Sequence, residues 1–333
     1  MSTHRTLTGR IGTSALSMAL GLGIMVQSSA AQQQQSGKII GARLKTPQPF
    51  QFVRVPPAQK AAAGEMMQKL YDIVRRDTMF YEPVAFDVQP SARIDVFPRS
   101  GYAPVQYDLP YFMFAYGPDT AKTQSGWRTS PRNFTAHGNG IDLFFIEANK
   151  WQTDERGIMY FEPTRLPDIK GYPTYGRGLT VVTRSERPIF VSVPLERTMK
   201  VVIAENSKGL DAMKDPPQQP IVARMKACVA KHEKELAAMS PAERAGPTYV
   251  SMLPAPGRDR SCDPFASASD KGAMRIIMEN PNFYDTKRPI TDIQVVFVGF
   301  GGFNTRVAID KSQLERVADR LDWAALAALT AKP

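Results

Sequence analysis

The feature that most constrains the fold is a series of short aromatic or β-branched runs between Tyr81 and Val193, each bounded by Pro, Gly or other turn formers. Runs of this kind are typical of strands, because branched and aromatic side chains pack well on a pleated surface. We therefore expect a largely antiparallel sheet region here. The runs are VAFDV, RIDVF, QYDLPYFMFAY, GIDLFFIEA, LTVVT and IFVSV.

Helical spacing of apolar residues replaces this pattern on both sides of the sheet region. It predicts a helix from about Gln59 to Arg76, another after Pro194, and a third from about Ile221 to Met239. The segments MRIIME and IQVVFVGF predict two further strands, and a terminal helix is expected from Asp310. The chain is thus predicted to be α+β, with a largely antiparallel sheet region and several packed amphipathic helices.

The aromatic segment from Tyr107 to Tyr116 allows two interpretations. Its rings could form a platform on which a sugar or another ligand stacks, or they could belong to a half-buried strand. A strand of the core requires the same residues, and we favour the core.

The glycine-rich segment GFGGFNTR, residues 299–306, does not satisfy the dinucleotide-binding pattern. Asn304 stands where the third glycine would be needed, and the following TRVAID is strand-like rather than helical. We predict a β-hairpin that turns at Gly301 and Gly302, and we predict no cofactor.

The N-terminus has the order of a secretory signal. Arg5 and Arg10 precede an apolar run that ends in QSSAA, with small residues suited to cleavage near Ala31. We expect residues 1–31 to be a cleavable signal peptide, so that the mature protein is periplasmic or secreted and keeps no transmembrane anchor. Residues 32–58 are expected to be a flexible, Pro-rich leader, and 59–333 a single α+β domain with a candidate sub-boundary near 194–220.

The chain is basic, with a formal net charge of +10 that becomes +8 if residues 1–31, which hold two arginines and no acid, are removed. Basic and acidic residues are interleaved, as in KHEKEL, which is typical of a solvated surface. A weak, salt-screened attraction to anionic envelope components is compatible with this charge, whereas nucleic acid is not an expected partner.

Two cysteines, Cys228 and Cys262, remain in a chain that is expected to be exported. Two thiols in an oxidising compartment are most simply explained by a disulfide, here one that ties a loop to a helix. The alternative is that Cys228 is a buried apolar residue and Cys262 a free thiol. With only three histidines and two cysteines, no metal site is predicted.

His137 is the strongest candidate for chemistry. It lies in the polar, glycine-flanked segment NFTAHGNGID, predicted as a turn before the strand IDLFFIE, and Asp142 follows closely. A histidine with a carboxylate could serve a hydrolytic triad, yet no G-x-S-x-G motif identifies a serine. His232, by contrast, falls on the apolar side of its predicted helix and is expected to be a core residue.

Two functional hypotheses follow. The first is a non-enzymatic exported protein that binds an envelope component or a partner protein, and it rests on the missing catalytic signatures. The second is an exported hydrolase with a site near His137 and Asp142, and it rests on the polar segment at a predicted strand end.

Overall fold

A computed structural model describes residues 50–76, 86–96, 102–115, 132–213, 219–251, 263–301 and 318–330. These residues form mixed helices and antiparallel sheets, which confirms the predicted α+β class. Several predicted features lie outside the described residues. They are the signal peptide 1–31, most of the leader 32–58, the hairpin beyond Gly301, the start of the terminal helix at Asp310, and Cys262.

Fourteen strands occur in the described residues. They are β1 (Gln51–Val53), β2 (Phe86–Pro90), β3 (Arg93–Val96), β4 (Val105–Ala115), β5 (Arg132–Gly138), β6 (Lys150–Asp154), β7 (Gly157–Phe161), β8 (Arg165–Ile169), β9 (Tyr172–Tyr175), β10 (Leu179–Val182), β11 (Phe190–Ser192), β12 (Tyr249–Ser251), β13 (Ala273–Glu279) and β14 (Val296–Gly301).

The strands form two sheets. The first has nine strands in the order β1-β3-β4-β5-β14-β10-β9-β8, with β2 also paired to β4. The second has five strands in the order β11-β13-β7-β6, with β12 also paired to β13. Every pairing is antiparallel except that of β1 with β3, so the last part of the predicted leader contributes a strand to the first sheet.

Six α-helices of the described residues accompany these sheets, including helices at the three places where apolar spacing predicts them. They are α1 (Lys60–Val74), α2 (Ile141–Glu147), α3 (Leu195–Ala212), α4 (Gln219–Ala238), α5 (Pro241–Ala245) and α6 (Trp323–Leu329).

Three apolar clusters hold the layers together. The first packs α1 and α6 on one face of the nine-stranded sheet, the second joins its other face to α2 and the five-stranded sheet, and the third lies on the far face of the five-stranded sheet beside α3. Tyr107, Leu109 and Tyr111 of β4 are fully buried in the first cluster. These residues therefore belong to the core, and the expected alternative of a ligand platform on this strand is wrong for them.

The segment around His137 differs from its prediction in two respects. His137 lies inside β5, paired with β4 and β14, and not in a turn. The following IDLFFIE is the helix α2 and not a strand. Its buried residues Ile141, Phe144 and Phe145 recur at helical spacing, while Asp142 is exposed. The aromatic composition favoured a strand, but the spacing of the buried residues decides the structure.

Asn139 is the residue that makes the turn from β5 into α2. Its φ of 57° lies in the left-handed region, which asparagine tolerates better than most residues. Its side chain is fully buried and makes three hydrogen bonds to backbone groups. The amide donates to the carbonyls of Val105 at 3.0 Å and Asp292 at 2.8 Å, and its oxygen accepts from the N–H of Gln294 at 2.8 Å. One side chain thus ties the end of β5 to the start of β4 and to the chain that enters β14.

Replacement of this residue tests its importance to stability. Asn139→Ala leaves three buried backbone groups without their partner and should lower the free energy of unfolding by about 3 kcal/mol or more. Asn139→Gly loses the same hydrogen bonds but accepts the positive φ, and should be less destabilised than the alanine variant by about 1 kcal/mol. Urea unfolding measures both differences.

Asn149→Ala is the matched control, because Asn149 is exposed. Its free energy of unfolding should stay within about 0.5 kcal/mol of that of the parent protein. An Asn139→Ala variant as stable as this control would contradict the structural role of Asn139.

Candidate ligand site

His137 is paired with a carboxylate, but not with the predicted one. Its Nδ1 lies 2.9 Å from Oδ1 of Asp108, the residue directly opposite it on β4. Asp142 instead accepts a hydrogen bond from Nε2 of Gln106 at 3.3 Å. The two candidates for catalysis therefore have different partners, because His137 lies on a strand and Asp142 on the next helix.

The His137–Asp108 pair has part of the geometry of a general base. The aspartate fixes the imidazole through Nδ1, which leaves Nε2 for another group. The imidazole side chain is 11% exposed. Within the described residues, however, its ring makes no hydrogen bond to a hydroxyl, which a serine or threonine nucleophile would require.

A second buried carboxylate on the same sheet serves the fold. Asp95 of β3 is fully buried and accepts hydrogen bonds from Arg54 at 2.9 Å and from Arg93 at 2.5 Å. Burial alone would raise the pKa of this carboxyl, but the hydrogen bonds from the two arginines hold it below its usual range. Asp95 therefore serves to join β3 to Arg54, the residue that follows β1.

A cavity of about 350 Å³ lies at the border of the layer between the two sheets. We call it the tyrosine groove. Its volume is at the lower end of the range of small-molecule sites. The residues of its wall that could recognise a ligand are Tyr102, Asp142, Arg156, Tyr160, Glu279 and Tyr284.

The tyrosine rings of this groove are held in place by the protein. The hydroxyl of Tyr284 donates to the carbonyl of Asn139 at 2.8 Å, and that of Tyr102 accepts from Nε2 of Gln294 at 3.1 Å. Their ring centroids are 5.7 Å apart, with planes inclined at 40°. Burial raises the pKa of Tyr102, so its ring stays neutral at physiological pH. These two rings are therefore in position before any ligand binds.

The third ring and the charges come from other elements. Tyr160 of β7 packs on Phe145 of α2, with ring centroids 4.6 Å apart. Asp142 and Glu279 place two carboxylates in the wall against the one guanidinium of Arg156. The groove is thus more acidic than the chain as a whole, which carries a formal net charge of +10.

A second cavity, of about 450 Å³, runs along α3, and we call it the α3 groove. One side of it is the two-residue turn of Glu155 and Arg156 between β6 and β7, which is followed by Gly157 with a φ of 121°. Asp154 at the end of β6 accepts hydrogen bonds from Nε and Nη2 of Arg197 at 2.7 and 2.5 Å. It also accepts from the backbone N–H of Arg156 at 2.8 Å. The turn is thereby fastened to α3, and Arg156 lines both grooves.

The remaining sequence candidates lie in α4. His232 is 1% exposed, its Nδ1 is 3.0 Å from Glu235, and its ring packs edge-on against Phe265, as expected of a core histidine. Cys228 is buried and is not a free thiol. Its predicted partner Cys262 lies outside the described residues, so the pairing of the two stays a prediction.

Of the residues that form the tyrosine groove, the sequence singled out Asp142 but none of the tyrosines. The three tyrosines come from three separate parts of the chain, and no motif connects them. The side chain of Asp154 is only 17% exposed, and no sequence pattern distinguishes it from the other acidic residues near this turn. Asp154 meets Arg197 only because α3 packs beside the turn between β6 and β7, and no local sequence pattern shows this packing.

Comparisons with known proteins add no further assignment: no protein-family model matches the chain, and no curated protein or solved structure is significantly similar to it. Within the described ranges, no three His, Cys, Asp or Glu side chains are grouped as metal ligands would be. None of the helices described in this structure is long and apolar enough to cross a membrane.

The ion pair between Asp154 and Arg197 leads to a pH prediction. Hydrogen bonds from Arg197 hold the pKa of Asp154 below its usual value, so the pair stabilises the fold above the ordinary carboxyl range. Asp154→Asn leaves the buried Arg197 without a countercharge and should cost about 3 kcal/mol at pH 7. The difference from the parent protein should shrink below about pH 4, as Asp154 itself becomes protonated.

Denaturant unfolding between pH 3 and pH 7 measures this dependence. Glu155→Gln removes a neighbouring, exposed carboxylate and is the matched control, which should have no comparable effect. A constant difference between the Asp154→Asn variant and the parent protein over this pH range would refute the proposed origin of the stabilisation.

Proposed function

We propose that this protein is an exported, non-enzymatic binding protein whose ligand is a small organic cation held in the tyrosine groove. The signal-like N-terminus supports export. The groove supports binding, because it is concave, already formed, and lined by rings together with a few polar groups.

The observation that carries the proposal is the pairing of aromatic rings with carboxylates in one cavity wall. The face of an aromatic ring attracts a cation through the ring quadrupole, and recognition of quaternary ammonium groups commonly uses several rings. Tyr102, Tyr160 and Tyr284 provide such rings, and Asp142 and Glu279 provide negative charge. A cation is therefore the ligand class that every one of these five residues attracts.

The fixed rings also reduce the entropic cost of binding. Tyr102 and Tyr284 are held by hydrogen bonds through their hydroxyls, so neither ring must be ordered when a ligand enters. The net positive charge of the protein opposes the approach of a cation at long range. Selectivity must therefore come from contacts inside the groove, and a test should vary those contacts.

Choline is a suitable probe, with its uncharged carbon isostere 3,3-dimethylbutan-1-ol as the comparison. We expect choline to bind with a Kd of about 1 mM or below, and the isostere to bind at least about tenfold more weakly because it lacks the charge. Tyr160→Leu should weaken choline binding by about 1 kcal/mol, whereas Tyr160→Phe, which keeps the ring face, should bind as the parent does. Titration calorimetry measures these affinities, and thermal unfolding verifies that each variant is folded.

Equal binding of choline and its isostere would show that the groove is merely apolar. Absence of choline binding to the folded parent protein would refute the proposed function. Asp142→Asn, at an exposed position, tests the electrostatic part separately and should weaken choline binding but not that of the isostere.

A second candidate function, a hydrolase, is favoured by one observation. His137 and Asp108 are 2.9 Å apart and are arranged as the base and the orienting carboxylate of a triad. The first proposal is preferred because, among the described residues, no hydroxyl completes this arrangement, and because the tyrosine groove is lined by Asp142 and not by His137.

Chromogenic ester, glycoside and peptide substrates distinguish the two functions. The binding proposal predicts no turnover above that of buffer, and no change with His137→Ala. Turnover that is lost in His137→Ala and reduced in Asp108→Asn, with both variants folded, would establish the hydrolase instead.

A further inference from the structure

We propose that the ligand of the tyrosine groove is a zwitterion, whose ammonium group faces the tyrosine rings and whose anionic group binds Arg156. This inference rests on the proposed function and adds the second charge of the ligand. Its basis is the position of Arg156 at the border between the two grooves.

Arg156 is presented at the border by a rigid turn. It is the second residue of the two-residue connection between β6 and β7, and its backbone N–H is held by Asp154. Asp154 is in turn held by Arg197, whose side chain is 9% exposed. The backbone of Arg156 is therefore anchored, while its exposed side chain can reach toward either cavity.

The Arg156 guanidinium has no hydrogen bond or ion pair with any of the described residues. The other cations of the α3 groove are engaged. Arg197 is paired with Asp154, Lys200 with Glu196 at 2.7 Å, and Lys208 with Glu205 at 2.9 Å. Among the described cations of these two walls, Arg156 is thus the one available to a ligand.

Arginine is suited to this role because its planar guanidinium can bind a carboxylate or a phosphate through two parallel hydrogen bonds. A cation in the wall of a cation site would by itself repel the ligand. If the ligand carries an anionic group on a short linker, the same guanidinium becomes attractive. Asp154 and Glu196 act on the Arg156 guanidinium only through electrostatic attraction, without a hydrogen bond to it. The combination of rings, two carboxylates and one guanidinium free of ion pairs therefore fits a molecule with both charges better than a simple ammonium.

Such a zwitterion could be a free solute or the headgroup of a zwitterionic lipid, and both present an ammonium group close to an anion. The shared chemistry is what Arg156 and the tyrosines would recognise. Three soluble probes and one vesicle preparation separate the sources: choline, glycine betaine, phosphocholine, and vesicles of phosphatidylcholine.

We expect glycine betaine or phosphocholine to bind the full chain about tenfold or more tightly than choline does. Arg156→Gln should abolish this preference. The same variant should bind choline more tightly, by up to about threefold, because a like charge has been removed. Opposite effects of one substitution on two ligands cannot arise from misfolding.

Lys271→Gln is the control for a general loss of positive charge, because Lys271 is exposed and lines neither groove. It should keep the preference for zwitterions. Arg156→Lys should keep part of it, since the charge remains but the paired hydrogen bonds are lost.

The outcomes separate this inference from the function on which it rests. Choline binding without a preference for either zwitterion, or a preference that survives in Arg156→Gln, would overturn the inference and leave the cation site intact. Failure of choline to bind the folded parent protein would overturn the proposed function and, with it, this inference. Cosedimentation with phosphatidylcholine vesicles that Arg156→Gln abolishes would support the inference with a lipid headgroup as the source. Binding of the soluble zwitterions alone would support it with a free solute.

Discussion

The buried side chain of Asn139 is the contact on which the rest of the site depends. It makes hydrogen bonds to three backbone groups that belong to distant parts of the chain, at Val105, Asp292 and Gln294. The backbone carbonyl of Asn139 accepts a hydrogen bond from the hydroxyl of Tyr284. The same residue makes the turn from β5 to α2 and so determines the position of Asp142. Because an unpaired buried polar group is costly, these bonds act together, and they couple the stability of the nine-stranded sheet to the shape of the groove.

The turn between β6 and β7 is a second fixed point of the groove. The ion pair of Asp154 with Arg197 fastens the turn between β6 and β7 to α3, and this turn presents Arg156. The tyrosine groove is thus bordered by two anchored turns, one on each sheet. Both anchors are polar and buried or nearly so, whereas the surfaces that would meet a ligand are rings and exposed charges. This separation is what pre-organisation of a binding site requires.

Much of the secondary structure could be predicted from local patterns. Helical spacing located α1, α3 and α4, and branched or aromatic runs located seven of the fourteen strands, because these signals depend on neighbours in the sequence. The helix α2 was missed, since the aromatic content of IDLFFIE concealed its spacing. The partner of His137 was also missed, because Asp108 becomes its neighbour only when β4 and β5 pair. The groove was missed for the same reason. Its tyrosines come together through packing between the sheets, which no local sequence pattern shows.

The central claim is that a cation binds among the three tyrosines of the groove, and nuclear magnetic resonance of tyrosine-labelled protein tests it most directly. Titration with choline should shift the ring signals of Tyr102, Tyr160 and Tyr284 with one common Kd. The signals of Tyr107 and Tyr111, which are fully buried in the first apolar cluster, should stay unchanged. Shifts confined to other tyrosines, or no saturable shift at all, would contradict the account.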